Sequence, residues 1–289
     1  MTVKEYYFDH FSELSPEKQF HFATRMKNYL KTHHFDDYLE QNKPSTDLRA
    51  VIEDNNYSKV SKYELRKPLF EKYPGLYGIE ATLFRIHHLL AEYGIDTRNE
   101  FKKNYPLENL YQLSDRLLND TDAIKILSSW AINTICLTEE LFPRGRNVVK
   151  QLAEFANSLD PQTTEATLFI YLCTHIIICE SSFYKKDIKK SDNIVLFSQL
   201  LKKCSEVIKD NIDTISLDAC IEFLVCCEMI GVRYDKERQL IKNICNEYLQ
   251  DSPYLINYRR DNKKGSYFHT LNGAEHINAL YIMSGLDSE

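Results

Sequence analysis

The pentapeptide Glu-Ala-Thr-Leu-Phe occurs twice, at residues 80–84 and 165–169, and each copy opens a long apolar stretch. Three more stretches of the same kind follow the pattern: TDAIKILSSWAINTICL, LDACIEFLVCCEMIGV and GAEHINALYIMSGL. Aligned on their alanines, the five units sit at Ala81, Ala123, Ala166, Ala219 and Ala274, spaced by 42, 43, 53 and 55 residues. Such a period is the length of a helical hairpin, two helices of about 15 residues plus loops. The units are apolar on nearly every side, so they are expected to be buried as helices over most of their surface.

The segments between these anchors read as companion helices. Leu107 to Leu118 carries Leu110, Leu113, Leu117 and Leu118 on one stripe, and Asn147 to Leu159 repeats the pattern with Val148, Leu152, Phe155 and Ala156. Asn193 to Val207 and Arg238 to Leu249 do the same. Their other faces hold Lys, Glu, Asp and Gln, which belong in water. Start signals agree with this division: Asp120-Thr121-Asp122, Asp160-Pro161 and Asn272-Gly273 each precede an anchor, and Ser15-Pro16-Glu17 opens an earlier helix. The acids Glu80, Asp122, Glu165 and Asp218 before the alanines are expected in first helical turns, where the helix dipole favours them.

Composition supports the same class. The chain has only 8 Gly and 8 Pro among 289 residues, where average usage gives about 20 and about 14. So few turn residues cannot serve many hairpins, which argues against an all-β fold. The expectation is an all-α chain of antiparallel helical hairpins of about 42–55 residues, toroid-like or solenoid-like, in a single domain. Residues 1–77 form an irregular helical N-terminal cap, and residues 78–289 form the repeat region of the same domain.

Charge and motifs exclude several function classes. Acidic residues outnumber basic ones, 42 to 36, for a net charge of −6, so no nucleic-acid partner is expected. The longest apolar run, Ala166 to Cys179, is too short to span a membrane and the N-terminus has no signal-peptide core, so the chain reads as cytoplasmic with no membrane partner. No GxGxxG, GxxxxGK[ST], HExxH or GxSxG sequence occurs. The eight cysteines form no CxxC pair and read as small apolar residues in a reducing compartment.

Chemistry is therefore sought among polar residues inside apolar helices, where an unpaired group is costly. His175 lies in the third anchor, His269 precedes the last, and Glu275-His276 opens it; these four are the candidate catalytic residues. Glu180, Glu228, Glu275 and Tyr171 are candidate partners for the imidazoles. If a metal is held, His88, His175 and His276 are the candidate ligands; no residue pattern identifies a cofactor. Arg259, Arg260, Lys263 and Lys264, interleaved with tyrosines, are a candidate anion-binding loop. Asp36-Asp37-Tyr38-Leu39-Glu40 has the spacing of a magnesium-binding DDxxE, but it precedes the regular helices and no second magnesium motif follows, so a solvated helix end is the better reading.

The two EATLF stretches with AIKILSSWAIN, ACIEFLVCCEM and AEHINALYIM, over about residues 78–286, resemble α/α-toroid proteins, whose inner helices line a cavity. That group includes cyclases, prenyltransferase subunits, lanthionine cyclases and glycosidases. The Trp-Cys and Cys-His-Gly zinc contexts of the lanthionine cyclases and the DxDD acid of squalene-type cyclases are absent here. Tyr171-Leu-Cys-Thr174-His175 with Ser182-Phe183-Tyr184 resembles a pattern in bacterial helical proteins encoded near biosynthetic genes. The resemblances imply a pocket between inner helices that takes a small molecule or peptide, as in a biosynthetic enzyme. The alternative is a non-catalytic helical scaffold whose concave face binds a peptide or protein.

Overall fold

A computed structural model describes residues 1–59, 62–256 and 267–288. Among the described residues there are sixteen α-helices, several 3-10 turns and no strand. The chain divides into two compact units, Met1–Asn42 with Pro161–Glu289, and Lys43–Asp160. Among the described residues no helix is long and apolar enough to cross a membrane. All eight cysteines are buried and none is in a disulfide.

The first unit begins with α1 (Val3–Asp9), α2 (Pro16–Leu30) and α3 (Asp36–Gln41). Thr2 and Glu5 close a capping box at α1, which satisfies two otherwise orphaned amides. Ser15 holds the N-cap position of α2 but makes no side-chain cap bond; its amide instead donates to Asn272 Oδ1 at 2.6 Å. In α3 the DDxxE acid Asp36 accepts from His33 Nδ1 at 2.8 Å and lies 3.5 Å from Lys27.

The second unit holds α4 (Arg49–Ile52), α5 (Tyr63–Lys72), α6 (Leu76–Tyr93), α7 (Arg98–Asn104), α8 (Leu107–Leu118), α9 (Thr121–Leu127), α10 (Ser129–Leu141) and α11 (Val148–Ser158). The first anchor is α6. The second is broken into α9 and α10 at Ser128, a buried residue with φ 53° and ψ −114°. α6 packs on α10, and the companion α8 packs on α9 and α10. Gly78 lets α4 approach α6, because a Cβ there would meet the carbonyl oxygens of Val51, Ile52 and Asp54 at 2.5–2.6 Å. Glu80 is not in a first turn as expected but inside α6, buried, where Asn133 Nδ2 donates to it at 3.0 Å. Its twin in the other EATLF copy, Glu165, does act as a cap.

The first unit resumes with α12 (Ala166–Glu180), α13 (Ile194–Asn211), α14 (Leu217–Ile230), α15 (Asp235–Leu249) and α16 (Leu271–Met283). Asp160-Pro161 opens only a 3-10 turn; α12 starts later, with Glu165 accepting from the amides of Thr167 and Leu168. Thr270 caps α16 by accepting from the Gly273 amide, the role Asn272 was expected to share. The anchors α12, α14 and α16 pack in sequence, α12 on α14 and α14 on α16, and α16 packs in turn on α2. α13 packs against both α12 and α14. Phe169, Leu172, Ile176, Phe223, Val225, Ala279 and Leu280 are fully buried along this row, and each large side chain contributes about 1.5–3 kcal/mol by leaving water. So apolar a row makes any polar group inside it conspicuous.

Candidate functional site

Three basic residues of α2, Lys18, His21 and Arg25, recur at i, i+3 and i+7 and so share one helix face. Opposite them, α16 presents Glu275 and His276. Glu275 is fully buried, and His21 Nδ1 lies 2.7 and 2.8 Å from its two carboxylate oxygens, with Lys18 Nζ at 3.7 Å. Burial pulls the Glu275 carboxyl upward, but His21, Lys18 and Arg25 outweigh it and bring the group below the ordinary carboxylate value. Burial, with Arg25, pushes the His21 imidazole below its usual value against the pull of Glu275; the 34% of its side chain left in solvent moderates that push. His21 Nδ1–H donates to the two Glu275 oxygens, and Lys18 and Arg25 add positive charge around the carboxylate.

Arg25 Nη1 donates to His276 Nδ1 at 3.0 Å. A guanidinium cannot accept, so His276 is neutral in this geometry and carries its proton on Nε2. The His21 and His276 rings stack at 5.7 Å. Arg25 also lies 5.8 Å from the Tyr184 ring.

A second polar group spans α12 and α14. Glu222 is buried, Thr174 Oγ1 is hydrogen-bonded to its Oε1, and His175 Nε2 stands 3.7 Å from the same oxygen. Burial lifts the Glu222 carboxyl to about 7, helped by Asp218 and opposed by Thr174 and the Arg25 charge. Thr174 Oγ1 has a single proton and a second acceptor in reach, the Ile170 carbonyl at 3.0 Å. The Thr174 hydroxyl is shared between the Glu222 carboxyl and that carbonyl. His175 keeps 19% of its side chain exposed.

The two groups are joined through the turn that ends α12. Ser182, Phe183 and Tyr184 have φ of 50°, 55° and 72° in succession. Left-handed backbone costs a residue with a Cβ roughly 1–2 kcal/mol, and such strain gathers at functional sites. The turn places Tyr184 against Tyr29 of α2, ring centroids 5.9 Å apart, and under the charges of both Arg25 and Glu222. The Tyr184 side chain is buried, the residue 8% exposed, and its hydroxyl has no hydrogen-bond partner. Burial therefore raises it well above an ordinary phenol.

The predicted residues divide accordingly. His175, Glu275 and His276 are brought to this polar seam, His175 through Glu222 and the other two through α2. His269 ends a 3-10 turn before α16, where its carbonyl accepts from Tyr254 Oη at 3.3 Å. His88 belongs to the other unit, on α6 beside Phe84 and His87. Among the described residues no three His, Cys, Asp or Glu are grouped so as to hold a metal ion. Arg259, Arg260, Lys263 and Lys264 lie outside the described residues. Of the expected imidazole partners, Glu275 bonds His21, while Tyr171 donates to Asp218, Glu180 accepts from Ser191 and Glu228 accepts from Arg238. Sequence reasoning missed His21, Arg25 and Glu222, and reached Tyr184 through the Ser182-Phe183-Tyr184 resemblance without giving it a role. Two clefts elsewhere, around Lys72 and Arg116 and around Tyr234 and Arg238, have Lys72 and Arg238 ion-paired to Asp120 and Glu228.

No family model matches the chain, and no curated protein and no solved structure matches it.

Proposed function

We propose that the first unit is an acid–base enzyme acting on a small molecule or peptide along the seam of α2, α12, α14 and α16. The observation that carries this reading is Glu222, a buried carboxyl held near neutrality with a partly exposed imidazole, His175, 3.7 Å away. A general acid or base works best when its pKa lies near the working pH, and burial of a carboxyl in an apolar helix row is how such a value is reached. In this reading Glu222 exchanges a proton with the substrate, His175 relays it to solvent, and Arg25 with the His21–Glu275 pair supplies fixed charge. The left-handed turn that positions Tyr184 supports the same reading, since strain of this kind persists where geometry matters more than stability. The likeness of Tyr171–His175 and Ser182–Tyr184 to proteins encoded near biosynthetic genes, and of the anchors to toroid enzymes, fits a small-molecule or peptide substrate.

The test is a conversion screen. Purified protein is incubated with pooled metabolites and short peptides, and the products are followed by mass spectrometry. Compounds consumed by the wild type and spared by both Glu222→Gln and His175→Ala, with both variants melting as folded proteins, are the expected result. Conversion that survives Glu222→Gln contradicts the assignment, as does a screen in which the wild type consumes nothing.

A further inference from the structure

The geometry points to a carboxylate on the ligand, held by the Arg25 guanidinium and the Tyr184 hydroxyl; this inference rests on the acid–base reading of the same seam. Its first support is an inventory of donors. Arg25 is half-buried and spends one N–H on His276 Nδ1, and among the described residues no carboxylate stands within ion-pair distance of it. An arginine presents five N–H donors in a planar fork that matches a carboxylate. Tyr184 adds a buried hydroxyl with no acceptor, an arrangement that costs about 1–3 kcal/mol unless a ligand supplies the acceptor.

The charge balance then selects among anions. Glu275 already has His21 and Lys18 as its partners. Arg25 remains as a positive charge with no ion pair among the described residues. A monoanion neutralises it; a phosphate dianion would bring a surplus negative charge next to Glu222, whose ionised form it would repel. The planar fork, the single charge and the orphan phenol all favour a carboxylate over phosphate.

The inference is tested by NMR titration of the full chain with acetate, using acetamide and inorganic phosphate as controls. Acetate is expected to bind saturably and to shift the Arg25 side-chain signal, while acetamide does not. Arg25→Gln should lose this binding, Arg25→Lys should retain part of it, and Tyr184→Phe should weaken it by roughly tenfold. Tyr184→Phe is also expected to melt no lower than the wild type, because it removes an unsatisfied hydroxyl; a purely structural hydroxyl would move stability without moving acetate binding. Acetate binding unaffected by both Arg25→Gln and Tyr184→Phe overturns the proposal, and so does phosphate binding that is tighter than acetate. Glu222→Gln should leave acetate binding intact, so a chain that binds acetate but converts nothing sinks the enzymatic reading alone.

Discussion

His21 Nδ1 reaches both oxygens of Glu275, at 2.7 and 2.8 Å, and so anchors a carboxylate of 0% exposure in the middle of the packed seam between α2 and α16. One end of this pair sits fully inside the protein and the other keeps a third of its surface in water. Such an arrangement holds two helices in register more than it adds stability, since two groups lose water to make it.

Removing one member should nevertheless be costly, because the survivor is left without its partner. Glu275→Ala is expected to lower unfolding free energy by about 3 kcal/mol at pH 7. Urea denaturation of the two proteins measures this. Glu275 lies below its ordinary value in the folded chain, so its contribution is present above the unfolded carboxylate value and disappears as pH falls through the folded one.

Glu222 and Glu80 should show the opposite sign. Both are lifted from 4.5 to about 7 by burial, so folding favours their protonated forms. The stability they confer is complete below pH 4.5 and declines as pH rises through about 7. Glu80→Gln should therefore match the wild type near the lower value and exceed it above the higher one. A melting series across that pH window gives the comparison; a Glu80→Gln curve parallel to the wild type would contradict it.

Gly78 is expected to resist even alanine. Alanine would gain about 1 kcal/mol of helix propensity, yet its Cβ would stand 2.5–2.6 Å from three carbonyl oxygens of the α4 segment. Backbone cannot swing aside as a side chain does, so Gly78→Ala should destabilise by about 1–3 kcal/mol. Thermal melting that shows a gain instead would mean that α4 does not press on α6.

Lys31 offers the reverse case. It ends α2 in the left-handed region, φ 55°, at an exposed position. Lys31→Gly should raise stability by about 0.5–1 kcal/mol, since glycine adopts this conformation without a Cβ penalty. Equilibrium denaturation at neutral pH is sufficient to see it.

The helices were legible because apolar runs such as Ala166–Cys179 have no alternative to burial, and the companion stripes of Leu110–Leu117 and Val148–Ala156 need one apolar wall. The break at Ser128 and the left-handed turn at Ser182–Tyr184 were not legible: neither contains the Gly or Asn that normally marks positive φ. His175, Glu275 and His276 stood out as polar residues within apolar anchors. Glu222 carried the same signal, a lone acid between Ile221 and Phe223, and could have been found by it. Arg25 and His21 looked like the solvated face of an amphipathic helix; only the docking of α2 on α16 turns that face inward.

The acid–base seam depends above all on Glu222 keeping its proton near neutrality. Titration of the glutamate side-chain carbonyl carbons by NMR, with the Glu222 signal assigned by its loss in Glu222→Gln, measures this directly. A midpoint near pH 7 is the predicted result. A midpoint at the ordinary value of 4.5 would mean that Glu222 is an ionised, solvated acid, and the acid–base seam would go with it.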